Sequence, residues 1–183
     1  MPLHTNPAAG ILLVEAVEVA RNIGTTDILY PVLGASRLHT ENQAEIDIFV
    51  AMMKEVGRHA EKAGVVVSLE HHNSAVDIIK ILDRIGSDYV AVYYDARNTK
   101  SIVGDPYGEA ALLGKRIHQL HVKNGKALMR DKEQLDWPKL AQEFYDAGYK
   151  GWYVLETGQS TGDLVKDTRD NIDYVRKTFK IPA

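Results

Sequence analysis

The 183-residue sequence contains no cysteine, no long apolar run and no excess of positive charge. Without cysteine there is neither a disulfide framework nor a thiolate metal site, so any bound metal must be held by oxygen or imidazole ligands. The formal net charge of -3 argues against general nucleic-acid binding, because phosphate contacts need clustered Lys and Arg. No apolar stretch reaches the length of a membrane span, and the amino terminus lacks the pattern of a signal peptide. We therefore expect a cytoplasmic protein that binds neither nucleic acid nor a membrane.

Hydrophobic residues make up 45% of the chain, which is enough to bury one sizeable core. No linker or low-complexity stretch divides the sequence. We expect a single domain over residues 1–183.

Short β-branched runs alternate with helical patterns along most of the chain. The pattern predicts strands at residues 28–33, 65–70, 89–95, 117–121 and 152–156. It predicts helices at residues 11–22, 42–63, 75–85, 107–115, 137–147 and 163–179, with loops at 34–40, 96–104 and 122–135. Strands separated by helices of this size form right-handed βαβ units, so the predicted sheet is parallel and the fold class is α/β.

Five strands are fewer than the eight that close a (β/α) barrel of TIM type. The sequence therefore predicts a partial barrel of about five βα units that lacks the first strands. Open strand edges and uncovered apolar surface favour association. We expect either a homo-oligomer that covers the open side or a chain that is part of a longer product.

Four of the predicted strands end on an ionisable side chain, namely Glu70, Asp95, His121 and Glu156. The carboxyl ends of neighbouring parallel strands face the same mouth of a barrel. Side-chain alternation places His121, and not His118, on the same face as the other three residues. Carboxylate and imidazole groups suit Mg, Mn, Co and Zn ions, so the sequence predicts a site for one divalent metal ion.

At these residues the chain resembles the xylose-isomerase-like TIM barrels of sugar and sugar-phosphate isomerases and epimerases. The matching pieces are Ser68-Leu69-Glu70, Tyr94-Asp95-Ala96-Arg97-Asn98, Ile117-His118-Gln119-Leu120-His121-Val122-Lys123-Asn124 and Gly148-Tyr149-Lys150-Gly151-Trp152 leading to Leu155-Glu156. The resemblance implies that Glu70, Asp95, His121 and Glu156 bind the metal. It also implies proton transfer next to a carbonyl through an enediolate that the metal stabilises, with Glu70 and Glu156 as catalytic base and acid.

Three further residues are candidates for substrate binding. Asn98 stands where some family members have a substrate-contacting His, and Lys123 is placed to neutralise an oxygen or phosphate of a sugar or sugar phosphate. His71 and His72 follow Glu70 directly, and His72 is expected to line the mouth. The alternative for each is a solvated loop residue, which is also the usual role of a single Glu at a strand end.

Two other functions remain open from the sequence. Metal-dependent endonucleases for abasic DNA, of the endonuclease IV type, share this barrel, but they use more His and Asp ligands and a basic groove. A truncated barrel that binds a metal or a sugar without turnover is the non-enzymatic alternative. The absent first strands favour the non-enzymatic barrel, and the intact set of four predicted ligands opposes it.

Overall fold

The computed structural model describes residues 6–131 and 135–181. The chain divides into two compact units, which we call the first unit (Met1–Tyr94) and the second unit (Asp95–Ala183). Within the described residues, no helix combines the length and the hydropathy that a membrane crossing requires.

The first unit alternates helices and strands, as predicted. Its elements are α1 (Pro7–Ile23), β1 (Asp27–Val32), a short 3-10 turn (Gly34–Ser36), α2 (Gln43–Ala63), β2 (Val66–His71), α3 (Ala75–Ile85) and β3 (Val90–Asp95), whose last residue opens the second unit. Strand β2 pairs in parallel with β1 on one side and with β3 on the other. The predicted helix 75–85 is confirmed at both ends, and each strand lies within one or two residues of its predicted bounds.

Helix α2 illustrates why these residues fold as they do. The side chain of Asn42 accepts a hydrogen bond from the Glu45 amide and caps the first turn, and Gly64 ends the helix in the left-handed conformation at φ 69°. An apolar stripe at helical spacing faces the strands and is buried, as predicted: Ile46, Phe49, Val50, Met53 and Val56. The helix thus delivers the chain directly into β2.

Proline has no backbone N–H to donate to a neighbouring strand, and Pro31 lies inside β1. The carbonyl of Thr26 accepts a hydrogen bond from the Val66 amide, so the backbone groups of residues 26, 28 and 30 point towards β2. Since successive residues of a strand point to opposite sides, the missing N–H of Pro31 faces away from β2. The proline therefore costs the β1–β2 ladder nothing.

The second unit continues the alternation with α4 (Ala96–Val103), α5 (Glu109–Leu113), a 3-10 turn (Gly114–Arg116), β4 (Ile117–Val122), α6 (Trp137–Asp146), β5 (Trp152–Leu155) and α7 (Leu164–Thr178). Strands β4 and β5 pair in parallel, with His121 opposite Val154. Rings from the helices and from β5 pack into a core in which Tyr153 and Phe179 have centroids 4.7 Å apart. Parallel strands joined by helices are the architecture of a (β/α) barrel, with five strands described where a complete barrel has eight.

The sequence predicted a loop at residues 96–104, but residues 96–103 form helix α4. This stretch is polar and has only two buried residues, Ala96 and Thr99, so it lacks the apolar periodicity on which the prediction depended. The predicted helix 107–115 is also shorter than expected, because α5 covers five residues and a 3-10 turn follows. The described residues therefore contain seven α-helices where six were predicted. In the predicted loop 122–135, residues 132–134 lie outside the described residues.

Candidate metal centre

Three of the four predicted metal ligands converge in the second unit. The Nδ1 atom of His121 lies 3.2 Å from Oε2 of Glu156 and 3.7 Å from Oδ2 of Asp95. Each residue offers one ligand atom, and these atoms lie within 4.8 Å of one another. Two atoms that are each about 2.1 Å from one ion lie roughly 3 Å apart, so this spacing fits a common divalent cation.

The elements of the second unit explain the convergence. Asp95 is the last residue of β3, His121 lies one residue before the end of β4, and Glu156 follows β5 directly. The Glu156 amide donates to the carbonyl of Val122, which holds the end of β5 against β4. Asp95 and His121 are buried at 4% and 8% exposure, whereas the side chain of Glu156 is 51% exposed. The candidate site therefore has two buried ligand side chains, Asp95 and His121, and one that faces solvent, Glu156.

Helix α4 orients the Asp95 carboxylate. Its Oδ1 accepts hydrogen bonds from the amides of Arg97 at 2.8 Å and Asn98 at 3.0 Å, which makes Asp95 the N-cap of the helix. The other oxygen, Oδ2, is the one that faces His121. One carboxylate thus caps a helix with one oxygen and offers the second oxygen to the site.

Lys123, predicted to bind substrate, contacts two of the predicted metal ligands. Its Nζ lies 2.5 Å from Oδ2 of Asp95 and 2.9 Å from Oε2 of Glu156. Lys123 follows β4, two residues beyond His121, and its side chain is 17% exposed. The ammonium group therefore neutralises two carboxylates at the centre.

The surroundings of Asp95 and Lys123 favour the charged form of each side chain. Burial raises the pKa of Asp95, but hydrogen bonds from His121, Lys123 and the Asn98 amide outweigh burial and hold that pKa below its usual value. Burial lowers the pKa of Lys123, and the hydrogen bonds to Asp95 and Glu156 outweigh it, so the pKa is raised. Asp95 is therefore a carboxylate and Lys123 an ammonium at neutral pH.

The two remaining candidates of the first unit are Glu70 and His72. Glu70 is the second-last residue of β2 and is 6% exposed. His72 follows the strand, and its Nδ1 accepts a hydrogen bond of 3.4 Å from the Gly34 amide. Next to it, the side-chain amide of Asn73 donates to the carbonyl of Leu38 at 3.0 Å. The loops that follow β1 and β2 are thus joined at the carboxyl ends of their strands.

Asn98, the third substrate candidate, lies in the first turn of α4 and is partly buried. Its amide donates to Asp95, and its carbonyl accepts a hydrogen bond of 2.6 Å from the hydroxyl of Ser101. The structure thus places Asn98 one helical turn from a predicted metal ligand.

Sequence reasoning missed two buried polar residues of α7, Asp167 and Asn171. Asp167 accepts from the amides of Ser160 at 2.7 Å and Thr161 at 2.8 Å, and from the Thr161 hydroxyl at 2.7 Å. Asn171 accepts from the Met129 amide at 2.7 Å. These residues fasten the loops that follow β5 and β4, which carry Glu156 and Lys123. The signal was present as two polar residues four apart on the apolar face of a helix.

The loops after β4 and β5 also bond to each other, since the hydroxyl of Ser160 donates to the carbonyl of Lys126.

A family model described as a xylose isomerase-like TIM barrel matches residues 10–178. The chain belongs to this family. The predicted resemblance and the predicted fold class are thereby confirmed. No curated protein matches the chain by sequence.

Solved structures superpose on most of the chain. L-ribulose 3-epimerase matches with a TM-score of 0.79 and 14% identity, covering 98% of this chain and 73% of its own. D-allulose 3-epimerase from Methylomonas sp. matches at 0.75 and 14%, covering 93% and 70%. D-psicose 3-epimerase from Clostridium cellulolyticum H10, solved with D-tagatose, matches at 0.73 and 17%, covering 94% and 71%. At these identities the likeness establishes the fold.

Proposed function

We propose that this protein is a divalent-metal-dependent epimerase or isomerase that acts on a sugar or sugar phosphate. The observation that carries the proposal is the convergence of Asp95, His121 and Glu156 at strand ends in the second unit. The donor set supports a metal role because two carboxylates and an imidazole are ligands that divalent Mg, Mn, Co and Zn accept. The neighbouring structures support the substrate class, since those named above are epimerases of ketose sugars.

Asp95, His121 and Glu156 would hold the ion, and Glu70 is proposed as the fourth ligand. The proposal for Glu70 depends on its place in the family motif Ser68-Leu69-Glu70 at the end of β2. A bound divalent ion supplies positive charge to neighbouring substrate oxygens and lowers the energy of the enediolate.

Glu70 and Glu156 are proposed to move the proton. One carboxylate removes the proton from the carbon next to the substrate carbonyl, and the electron pair of that C–H bond forms a C=C bond as the carbonyl oxygen becomes negative. The other group, in its carboxylic acid form, returns a proton in one of two ways. Addition to the opposite face of the same carbon re-forms the original carbonyl. Addition to the former carbonyl carbon makes the first carbon the new carbonyl, and the hydroxyl proton of that first carbon passes to the negative oxygen. The first choice gives an epimer and the second an aldose–ketose pair.

His72, Asn98 and Lys123 are proposed to bind the substrate. Lys123 carries a full positive charge next to the candidate centre, which suits a hydroxyl or phosphate oxygen. Asn98 offers an amide at the start of α4, and His72 offers an imidazole after β2. These side chains thus offer hydrogen-bond donors to the oxygens of a substrate.

The proposal is tested by metal binding and by solvent proton exchange in the same preparation. We expect calorimetry to detect one Mn²⁺ per chain. We expect ketohexoses or ketopentoses in D₂O to gain deuterium at the carbon next to the carbonyl. Glu156→Gln should weaken Mn²⁺ binding at least tenfold and reduce exchange at least a hundredfold, because the ligand charge and a proton carrier are both lost. Glu70→Gln should do the same.

Glu61→Gln is the matched control, because Glu61 is an exposed carboxylate near the end of α2. It should leave both measurements unchanged. An affinity for Mn²⁺ in Glu156→Gln equal to that of the parent chain would overturn the metal assignment. Metal binding without exchange on any sugar tested would favour the non-catalytic barrel.

A further inference from the structure

Lys123 and a metal ion need the same two oxygen atoms. The Nζ of Lys123 lies on Oδ2 of Asp95 and Oε2 of Glu156 at 2.5 and 2.9 Å. The same two oxygens face Nδ1 of His121. The lysine therefore binds the pair of carboxylates from within the candidate centre.

We propose that Lys123 is an internal competitor of the metal, whose ammonium holds the ligand carboxylates until a divalent ion displaces it towards the substrate. This inference depends on the proposed function, because it names a role for Lys123 at the same centre. It goes beyond substrate binding, since it predicts that the lysine weakens metal affinity.

The physical reason is a competition between two cations for the same charge. The ligand oxygens of Asp95 and Glu156 lie within 4.8 Å of each other, so without a cation their charges repel. An ammonium relieves that repulsion, and so does a divalent ion, but both cannot lie within 3 Å of the same oxygens without repelling each other. The contact with Asp95 is shielded from solvent, since this carboxylate side chain is 1% exposed.

The geometry also gives the displaced lysine a destination. The backbone of Lys123 is fixed directly after β4, whereas its ammonium group ends a flexible four-carbon side chain and can move. Loss of its two carboxylate partners to the metal leaves the ammonium next to the centre with three free donors. A substrate oxygen is the partner that the proposed reaction supplies.

The test compares Mn²⁺ binding and thermal unfolding of the full chain with those of Lys123→Met. Methionine keeps the apolar stem and removes the charge. We expect Lys123→Met to bind Mn²⁺ about tenfold more tightly and to unfold at a lower temperature in EDTA, because two neighbouring carboxylates lose their cation. A purely structural lysine would lower the unfolding temperature without tightening the metal.

Lys123→Arg and Lys126→Met are the controls. Arginine keeps the charge and should bind Mn²⁺ within threefold of the parent chain. Lys126 is an exposed lysine of the same loop, so its replacement should change nothing. If Lys123→Met does not fold, Lys123→Gln serves as the neutral variant.

The outcomes separate this inference from the proposed function. Unchanged or weaker Mn²⁺ binding in Lys123→Met, with binding by the parent chain, overturns the competition and leaves the metal site standing. Binding by Lys123→Met but not by the parent chain supports the competition in its strongest form. Absence of binding in both overturns the inference together with the metal assignment.

Discussion

Among single residues, His71 is a buried imidazole of the first unit. It is 6% exposed at the end of β2, and its Nδ1 accepts a hydrogen bond of 3.2 Å from the Asn73 amide. Its Nε2 is buried without a hydrogen-bond partner among the described residues. Burial therefore lowers the pKa of His71 to about 4, so the folded protein keeps the imidazole neutral.

This depressed pKa predicts a loss of stability in mild acid. Above pH 6.5 the imidazole is neutral in both states, and below it the unfolded chain takes up a proton that the folded chain refuses. The free energy of unfolding should therefore fall by about 3 kcal/mol as the pH drops from 6.5 to 4, at about 1.4 kcal/mol per unit. Urea titrations of the parent chain and of His71→Gln should give a shallower slope for the variant.

His59→Gln provides the comparison, because His59 lies on the surface of α2 and is 36% exposed. This variant controls for the loss of an imidazole that is not buried. Equal slopes for all three proteins would mean that His71 binds its proton as readily when folded as when unfolded, contrary to its burial.

At the scale of elements, α7 holds the loops that follow β4 and β5. The Asp167 carboxylate is fully buried and receives three hydrogen bonds from the loop that begins at Glu156. Asn171, one turn later, receives the Met129 amide from the loop that begins at Lys123. A helix with two polar residues turned inwards thus determines where two site residues lie.

Breaking this attachment should affect the candidate centre from a distance. In Asn171→Ala the buried Met129 amide loses its acceptor, which costs about 1–3 kcal/mol of stability. In Asp167→Asn the acceptor of the Ser160 and Thr161 amides loses its negative charge, so these hydrogen bonds weaken and the two amides should exchange with solvent faster. We expect both variants to weaken Mn²⁺ binding threefold to tenfold, as measured by calorimetry and hydrogen exchange.

Asp173→Asn serves as the control on the same helix, because Asp173 is exposed. It should alter neither exchange nor Mn²⁺ binding. Faster exchange in Asp167→Asn with unchanged metal affinity would show that the loop can loosen without moving Glu156.

The elements that the sequence predicted well are those with strong local signals. Helix α3 has Ser74 as its cap and Gly86 as its end, and both are visible as letters. Helix α4 has no such apolar pattern, and its cap is Asp95, a residue already assigned to the metal. Asp167 and Asn171 are visible as polar residues on the apolar face of α7, but their hydrogen-bond partners lie 6 to 42 residues away, and the sequence does not indicate which loop atoms they bind. The convergence of Asp95, His121 and Glu156 was predictable because parallel topology alone brings strand ends to one edge.

For the whole molecule, association remains a prediction that the open strand edges support. In the second unit β5 pairs with β4, and Trp152 at its start is 71% exposed. Exposed aromatic surface next to an unpaired edge favours a partner chain. At tens of micromolar we expect light scattering to give a mass of at least twice 20.4 kDa. Trp152→Glu should shift the protein towards the monomer.

Leu164→Glu is the matched control for association, because Leu164 is an apolar residue of α7 with 55% exposure. It should leave the mass unchanged. A monomer at every concentration would contradict the expected oligomer while leaving the proposed chemistry intact.

Asp95 caps helix α4 with one carboxylate oxygen and faces His121 with the other, so substitutions at position 95 can separate the two roles. Asparagine caps helices about as well as aspartate, whereas alanine does not. An Asn at this position would preserve the start of α4 and abolish only the negative charge, and an Ala would abolish both. The difference between the two variants measures what the helix cap contributes, and the loss that they share measures what the negative charge contributes to the candidate centre.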